Sequence, residues 1–473
     1  MRVAILSSEA VPFAKTGGLA DVAGALPKAL VEWGEDASLV LPLFEQIDRR
    51  HLRDQIIDNL DVDWRGGTTR ARVFYSDAPG APAFLIDAPE YFARNSIYGF
   101  RDDHERFAFF CRAALALFKR LGAPPDIVHL NDWPGGFAAA LLRSRRHDDS
   151  YYARTRTLFS IHNLAYQGAF DAGELWLLGF NAEERDAFMM NGAASALKAG
   201  LMTSDWLSTV SPRYAYEIQT PEFGHGLEWL LRARRDHLEG ITNGVDYDVW
   251  NPATDSYLPA HYDINNLDGK RACKLDLLRS LSLPEDLDRP IMGNISRLTS
   301  QKGYDLIKEA GGAILETGAF FIALGSGASE YEDFLQWMRD HAPRQVGIFK
   351  GFNESLAHRI EAGADIFLMP SLFEPCGLNQ MYSTRYGTVP VVRATGGLDD
   401  TVQDFDRVRS TGNGFKFGPY TASAMLDKIY EALYCYAEPD VWRTIQLNGM
   451  RVDNSWRAAA QKYIQLYRRV IQL

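Results

Sequence analysis

KTGGLADV, residues 15–22, follows the short apolar run VAIL at residues 3–6 and runs into a helical stretch. An apolar strand, a glycine turn and a helix in succession are the punctuation of an α/β chain. Paired glycines let backbone N–H groups approach an anion with no Cβ in the way, and Lys15 beside them adds a point charge suited to a phosphate. The spelling returns near the other end as Thr395, Gly396, Gly397, Leu398 and Asp400, again after an apolar run, VPVV. Two such loops from opposite ends of one chain are expected to face one phosphorylated ligand.

Outward from that stretch the same alternation continues. VAIL, a helix over ADVAGALPKALVEWG and SLVLPL are followed by two β-rich segments, RARVFYS and AFLIDA. DHERFAFFCRAALALFKRLG has helical apolar spacing. DIVHL is a strand running into NDWPGG, where Pro134 is placed to begin a helix, and TLFSI ends at His162 and Asn163. NGVDYDVWNP, residues 243–252, is rich in turn formers and reads as a hinge. After it, IMGNI, FFIAL, VGIF, DIFLMP and VPVV are short apolar runs separated by helical stretches, which argues for a second parallel sheet. The expected architecture is α/β with two Rossmann-like domains, residues 1–245 and 246–454, whose parallel sheets face across a cleft. The amphipathic segment at about 455–473 is expected to pack back on the first domain.

Length and composition agree. A chain of 473 residues suits two domains, and 46% hydrophobic with 23% charged residues is the balance of a soluble globule. Fifty basic against 61 acidic residues give a net charge of −11, which disfavours a nucleic-acid surface. Cys111, Cys273, Cys376 and Cys435 have neither CxxC nor zinc spacing, so no disulfide framework or metal site is indicated and a reducing cytoplasm fits. No apolar run reaches the ~18 residues needed to cross a bilayer.

The uncommon residues cluster by position. Lys15, Asp132, His162, Arg297, Gly325 to Gly327, Glu374 and Thr395 all come shortly after expected strands, and ligands of open parallel sheets bind at the carboxyl ends of the strands. Arg297 and Lys302 in SRLTSQKG supply two cations beside a helix start, as a leaving diphosphate requires, and no metal is needed if they do this work. The DxD spellings at Asp61–Asp63 and Asp246–Asp248 read as surface and linker. Glu374 in PSLFEPCGLNQ is placed to bond sugar hydroxyls or to face positive charge on a sugar carbon. Cys376 has no histidine nearby in sequence and reads as a packed thiol. His162 is placed to bond a sugar or to act as a base.

These motifs, KTGGLADV, VHLNDW, IHNLAYQG, NGVDYDVW, SRLTSQKG, EPCGLNQ and ATGGLDDTV, resemble in kind and order those of the bacterial and plant glycogen and starch synthases. The resemblance covers nearly the whole chain. It implies the GT-B fold, ADP-glucose as donor, and an α-1,4-glucan acceptor held mainly by the first domain. By matching motif, Lys15 and Gly18 would touch the donor diphosphate from the first domain, and Arg297 and Lys302 from the second. Glu374 matches a glutamate at the donor sugar and ribose side, and Gly377, Leu378 and Asn379 would line the phosphates, with Cys376, Thr395 and Gly396 also on the nucleotide-sugar side. His162 matches a histidine bonded to the transferred glucose through its 6-hydroxyl. Glu9, Tyr98, Asp132 and Asn163 match acceptor-side or sugar-contacting positions. Three positions depart from the pattern: Asn131 where histidine is frequent, Asn379 where threonine is frequent, and Phe352 where a tyrosine often stacks on adenine.

The expected reaction is a retaining glucosyl transfer without a cofactor. The leaving diphosphate, held by Lys15, Arg297 and Lys302, takes the proton of the incoming 4-hydroxyl, while Glu374 and His162 orient the sugar. UDP-glucose is the alternative donor. A non-catalytic glucan- or nucleotide-binding protein on the same fold is another reading, though it would be expected to have lost some of Lys15, Arg297, Lys302 and Glu374, and all four are present. A nicotinamide-dependent oxidoreductase lacks its GxGxxG after the first strand.

Overall fold

Val3, Ala4, Ile5 and Leu6 are each at most 2% exposed, so the first strand, β1 (Arg2–Leu6), is covered on both faces. Successive burial of this kind belongs to a parallel strand between two helical layers. The computed structural model describes residues 1–473. It divides into two compact units, Met1–Gly244 with Trp456–Leu473, and Val245–Ser455.

In the first unit the strands after β1 are β2 (Asp36–Pro42), β3 (Gln55–Trp64), β4 (Gly67–Ser76), β5 (Ala83–Asp87), β6 (Ile127–Asn131), β7 (Arg156–Ile161), β8 (Ala169–Phe170), β9 (Met189–Met190), β10 (Ala193–Ser195), β11 (Trp206–Thr209) and β12 (Leu238–Gly240). Nine of them form one sheet in the order β12-β11-β7-β6-β1-β2-β5-β4-β3, and β8, β10 and β9 form a small antiparallel sheet. The seven strands from β12 to β5 run parallel, and β4 and β3 add an antiparallel edge. Arg65 and Gly66 turn the β3–β4 hairpin with φ of 53° and 76°, the paired left-handed conformation of a tight two-residue turn. Asp61 and Asp63, read from sequence as surface, are exposed on edge strand β3, while Val62 and Trp64 between and beyond them are buried. Charge on such an edge opposes pairing with another chain.

The helix Trp456–Ile471 belongs to this first unit, packed on the helix Gly18–Glu32 and on β7. Ala459, Ala460, Tyr463, Ile464, Tyr467 and Val470 recur at helical spacing and form its buried stripe. The Tyr467 hydroxyl lies 2.8 Å from His129 Nδ1, His129 Nε2 lies 2.6 Å from Ser160 Oγ, and Ser160 Oγ lies 2.5 Å from Ser208 Oγ. Burial pushes His129 down to about 3, so its imidazole is neutral.

The second unit has one sheet of six parallel strands: β13 (Ile291–Ile295), β14 (Phe320–Gly325), β15 (Val346–Lys350), β16 (Ile366–Met369), β17 (Val389–Arg393) and β18 (Phe415–Phe417), in the order β15-β14-β13-β16-β17-β18. Alternate side chains enter two cores. Phe321 and Leu368 meet Leu306 and Ile429 on one face, and Phe320 and Phe367 meet Leu277 and Ile360 on the other. The turn-rich segment read as a hinge is partly anchored here: the Trp250 ring is stacked between His358, 3.7 Å away at 8°, and Tyr382, 3.9 Å away at 4°. Val245 and Ser455, the two ends of this unit, form a parallel bridge.

Candidate active site

In the first unit β7, β6 and β1 are neighbours, and the residues after their carboxyl ends come together. Asn131 ends β6 and Asp132 follows it with φ of 51°, a left-handed conformation that few residues other than glycine adopt. The helix Asp132–Asp148 starts two residues before Pro134, where the sequence suggested it. Asp132 Oδ1 accepts the backbone N–H groups of His162 at 2.7 Å and Asn163 at 3.4 Å. Burial raises this carboxyl to about 7 despite both bonds. Burial lowers the His162 imidazole to about 4. His162 Nε2 lies 2.8 Å from Asn131 Oδ1, and Asn131 Nδ2 donates to the Leu6 carbonyl at 3.0 Å. Asn163 Oδ1 accepts the Ala165 N–H at 3.1 Å, which shapes the turn after β7.

The glycine loop is organised by Glu9. Its Oε2 accepts from Thr16 N, from Thr16 Oγ1 at 2.9 Å and from Gly17 N at 3.2 Å. Its Oε1 accepts from the Tyr98 hydroxyl at 3.3 Å, and that hydroxyl also lies 2.6 Å from Ser8 Oγ. Glu9 is 4% exposed, so in this arrangement it holds the loop from behind. Of the two glycine amides that the sequence offers to a phosphate, Gly17 N is thus already bonded. Lys15, nine residues beyond the end of β1, is half exposed and donates to Asp21 Oδ1 at 2.6 Å. A Cβ built on Gly17 or Gly18 would meet nothing within 4 Å, and neither has a left-handed φ. Protein packing therefore does not require glycine at either position.

In the second unit two loops cross at the ends of the central strands β13 and β16. Arg297 follows β13 and its Nη2 donates to Gln301 Oε1 at 3.4 Å. Gln301 O accepts Leu372 N at 2.8 Å, and Gln301 Nε2 donates to Phe373 O at 3.4 Å, so the first loop is stitched to the second. Lys302 Nζ then reaches Glu374 Oε2 at 2.5 Å, where Ser371 Oγ also donates at 3.1 Å. Gly303 turns with φ of 78° into the helix Tyr304–Glu316, and a Cβ there would lie 2.2 Å from Pro370 O, so both the turn and the packing require glycine.

The second glycine pair has a different function from the first. A Cβ on Gly396 would lie 1.9 Å from Glu374 O, and one on Gly397 would lie 2.1 Å from Cys376 O. Gly396 also has φ of 44°, and Gly397 N donates to Glu374 O at 3.2 Å. The pair at 396–397 is the seat on which the Glu374 loop rests. Cys376 is 5% exposed and packed, and Thr395 is buried. Gly377 has φ of 72°, and Asn379 Nδ2 donates to Ile295 O at 2.9 Å, tying the start of the short helix Asn379–Arg385 to the end of β13. Leu378 is the residue before that helix. Phe352 follows Gly351 after β15 and is 83% exposed.

Sequence reasoning did not single out Ser8, Asp21 or Ser371. Asp21 was visible six residues after Lys15 in the same motif, but Ser8 and Ser371 carry no pattern of their own. A separate cavity of about 310 Å³, lined by Asp63, Arg65, Arg112 and Gly179 among others, shares no residue with these clusters.

Residues 2–233 match the starch synthase catalytic domain, and residues 281–445 match glycosyl transferases group 1. The chain is 46% identical to a glycogen synthase of Anaeromyxobacter sp. (strain Fw109-5) over 476 residues, 99% of each chain. It is 42% identical to one of Bacillus cereus (strain ATCC 14579) over 482 residues, 100% of each. Among solved structures, the catalytic domain of starch synthase IV from Arabidopsis thaliana, bound to ADP and acarbose, aligns with a TM-score of 0.92 at 32% identity, covering 100% of this chain and 99% of that one. The sucrose-phosphate synthase of Thermosynechococcus elongatus, at 19% identity and a TM-score of 0.63 over 99% of each chain, shares the fold. A chain this similar over its whole length to glycogen synthases, with both glycosyltransferase segments in order, belongs to the glycogen synthase family of GT-B glycosyltransferases.

Proposed function

We propose that the protein transfers glucose from ADP-glucose to the 4-hydroxyl at the non-reducing end of an α-1,4-glucan, with retention, and releases ADP. The observation that carries this reading is the Lys302–Glu374 pair beside Arg297, where two strand-end loops cross in a chain of this family. The bond from the anomeric carbon to the diphosphate breaks, the bond to the acceptor oxygen forms on the same face, and the acceptor proton passes to a diphosphate oxygen. Arg297, Lys302 and Lys15 stabilise the charge that develops on the diphosphate. Glu374 and His162 hold the transferred sugar, His162 at its 6-hydroxyl. Phe352 offers an exposed ring to adenine, and Gly377, Leu378 and Asn379 follow the phosphates. Cys376, Thr395 and Gly396 support that loop. Gly18 lets the diphosphate approach the start of a 15-residue helix. Glu9, Tyr98, Asp132 and Asn163 shape the acceptor side.

The reaction needs no metal on this reading, because fixed cations face the leaving group. The enzyme works in the cytoplasm, where ADP-glucose is the substrate that an ATP-consuming nucleotidyl transfer to a sugar phosphate would supply. The test is nucleotide release from ADP-glucose or UDP-glucose, with and without glycogen, in the presence of a chelator. Glycogen-dependent ADP release in chelator is expected. Preference for UDP-glucose would overturn the adenine assignment, and loss of activity in chelator would overturn the metal-free mechanism.

A further inference from the structure

His162 can meet a sugar in two chemically opposite ways, and the residue that decides between them lies behind it. The Leu6 carbonyl, at the end of β1, can only accept a hydrogen bond. The Asn131 group 3.0 Å from it must therefore be the NH₂, and this fixes the orientation of the carboxamide. Its oxygen then faces His162 Nε2 at 2.8 Å. A carboxamide oxygen also only accepts, so Nε2 must carry the hydrogen. The imidazole is neutral in its buried setting. Nδ1 consequently has no hydrogen and presents a lone pair.

The support for this arrangement is rigid. Asn131 is 1% exposed and is the last residue of β6, paired with Ser160 of β7. Leu6 is 1% exposed and pairs with Leu130 in the same sheet. The His162 backbone is itself fixed by Asp132 Oδ1 at 2.7 Å. A histidine in place of Asn131 could donate or accept, whereas the asparagine held by Leu6 can only accept from His162.

We propose that Asn131 is a positioning residue that holds His162 as the Nε2–H tautomer, so that His162 recognises the donor sugar as a hydrogen-bond acceptor through Nδ1. The hydroxyl it recognises must then be a donor. The inference rests on the reading that His162 contacts the transferred sugar.

Three measurements on the full-length protein test it. In the ¹⁵N spectrum of histidine-labelled protein, with the His162 signals assigned by their loss in His162→Gln, Nε2 is expected to be protonated and Nδ1 bare; a protonated Nδ1 overturns the proposal. This measurement needs neither substrate nor a folded Asn131 variant. Asn131→Leu removes the Oδ1 acceptor and leaves both neutral tautomers open to His162. The preference in kcat/KM for ADP-glucose over its 6-fluoro analogue is expected to shrink severalfold in this variant; a merely structural role would lower both rates alike and leave the preference unchanged, and that result overturns the proposal.

The third measurement replaces the 6-hydroxyl of ADP-glucose by fluorine, which can accept but not donate. Wild-type kcat/KM is expected to fall about tenfold, and His162→Ala is expected to use both donors at similar rates. If the tautomer is as expected but the fluorinated donor reacts normally with the wild type, the contact of His162 with the 6-hydroxyl is wrong, and the recognition half of the proposal falls while the Asn131–His162 bond stands.

Discussion

Lys302 and Glu374 are 72 residues apart in sequence and 2.5 Å apart in space. Each is buried enough that neither charge is fully solvated, with side-chain exposures of 19% and 8%. The pair holds a cation at the strand ends without leaving it unbalanced before substrate arrives. Lys302→Ala and Glu374→Ala are each expected to lower turnover by about 10²-fold or more. Because the two side chains are bonded to each other, each truncation also releases its partner, so the double variant should lose less than the product of the two losses. Steady-state rates of the four proteins give the coupling, and multiplicative losses would show that the residues act separately.

The two glycine pairs predict opposite outcomes for the same substitution. Gly18→Ala adds a methyl in open space at an ordinary backbone conformation, so thermal stability should change by less than about 1 kcal/mol. Its turnover should fall at least tenfold if a diphosphate approaches there. Gly396→Ala must place a Cβ 1.9 Å from Glu374 O at a φ of 44°. It should lose about 2–4 kcal/mol of stability. Thermal unfolding beside turnover separates the two, and a destabilised Gly18→Ala with normal kinetics would contradict the ligand role.

Phe352 is 83% exposed, so removing its ring has little to act on in the free protein. Phe352→Ala should leave the melting temperature unchanged and raise the KM for ADP-glucose about 2- to 10-fold, the worth of one stacking contact. Phe352→Tyr should behave like the wild type. An unaltered KM in the alanine variant would remove the ring from the donor site.

His129, on β6 two residues before Asn131, supplies an acid-sensitive element. Its folded value of about 3 lies below the ordinary 6.5 because it is buried. Between these values the unfolded chain takes up a proton that the folded chain does not, so stability is lost as pH falls through about 6.5. From pH 7.5 to pH 5 the loss amounts to ~2 kcal/mol for this one group. His129→Gln should lack that component. Denaturant unfolding of both proteins at the two pH values measures it, and parallel losses would show that His129 is not its source.

The alternation of strand and helix was legible because each parallel strand is buried on both faces and so reads as a short apolar run, as in IMGNI and VPVV. Asp132, His162, Arg297 and Glu374 were found from their places after such runs. What sequence could not supply was direction. Nothing in TGGL distinguishes a pair left open to a ligand, Gly17–Gly18, from a pair filled by the backbone of another loop, Gly396–Gly397. Nor could Glu9 be seen to point at Thr16 and Gly17, since the bond depends on how the chain folds back between Ala10 and Ala14. The β8–β10 sheet was missed because its strands of two or three residues are too short to carry a period.

The helix Trp456–Ile471 gives the chain an order of assembly. The stripe from Ala459 to Val470 covers part of the first unit, yet Val245–Ser455, 211 residues, must be synthesised between that unit's strands and this helix. At about 5–20 residues per second the first unit waits roughly 10 to 40 s on the ribosome for its last piece. During that interval the bare surface around His129, Ser160 and the helix Gly18–Glu32 is what a chaperone would meet, and a chain stopped at residue 455 would carry it permanently.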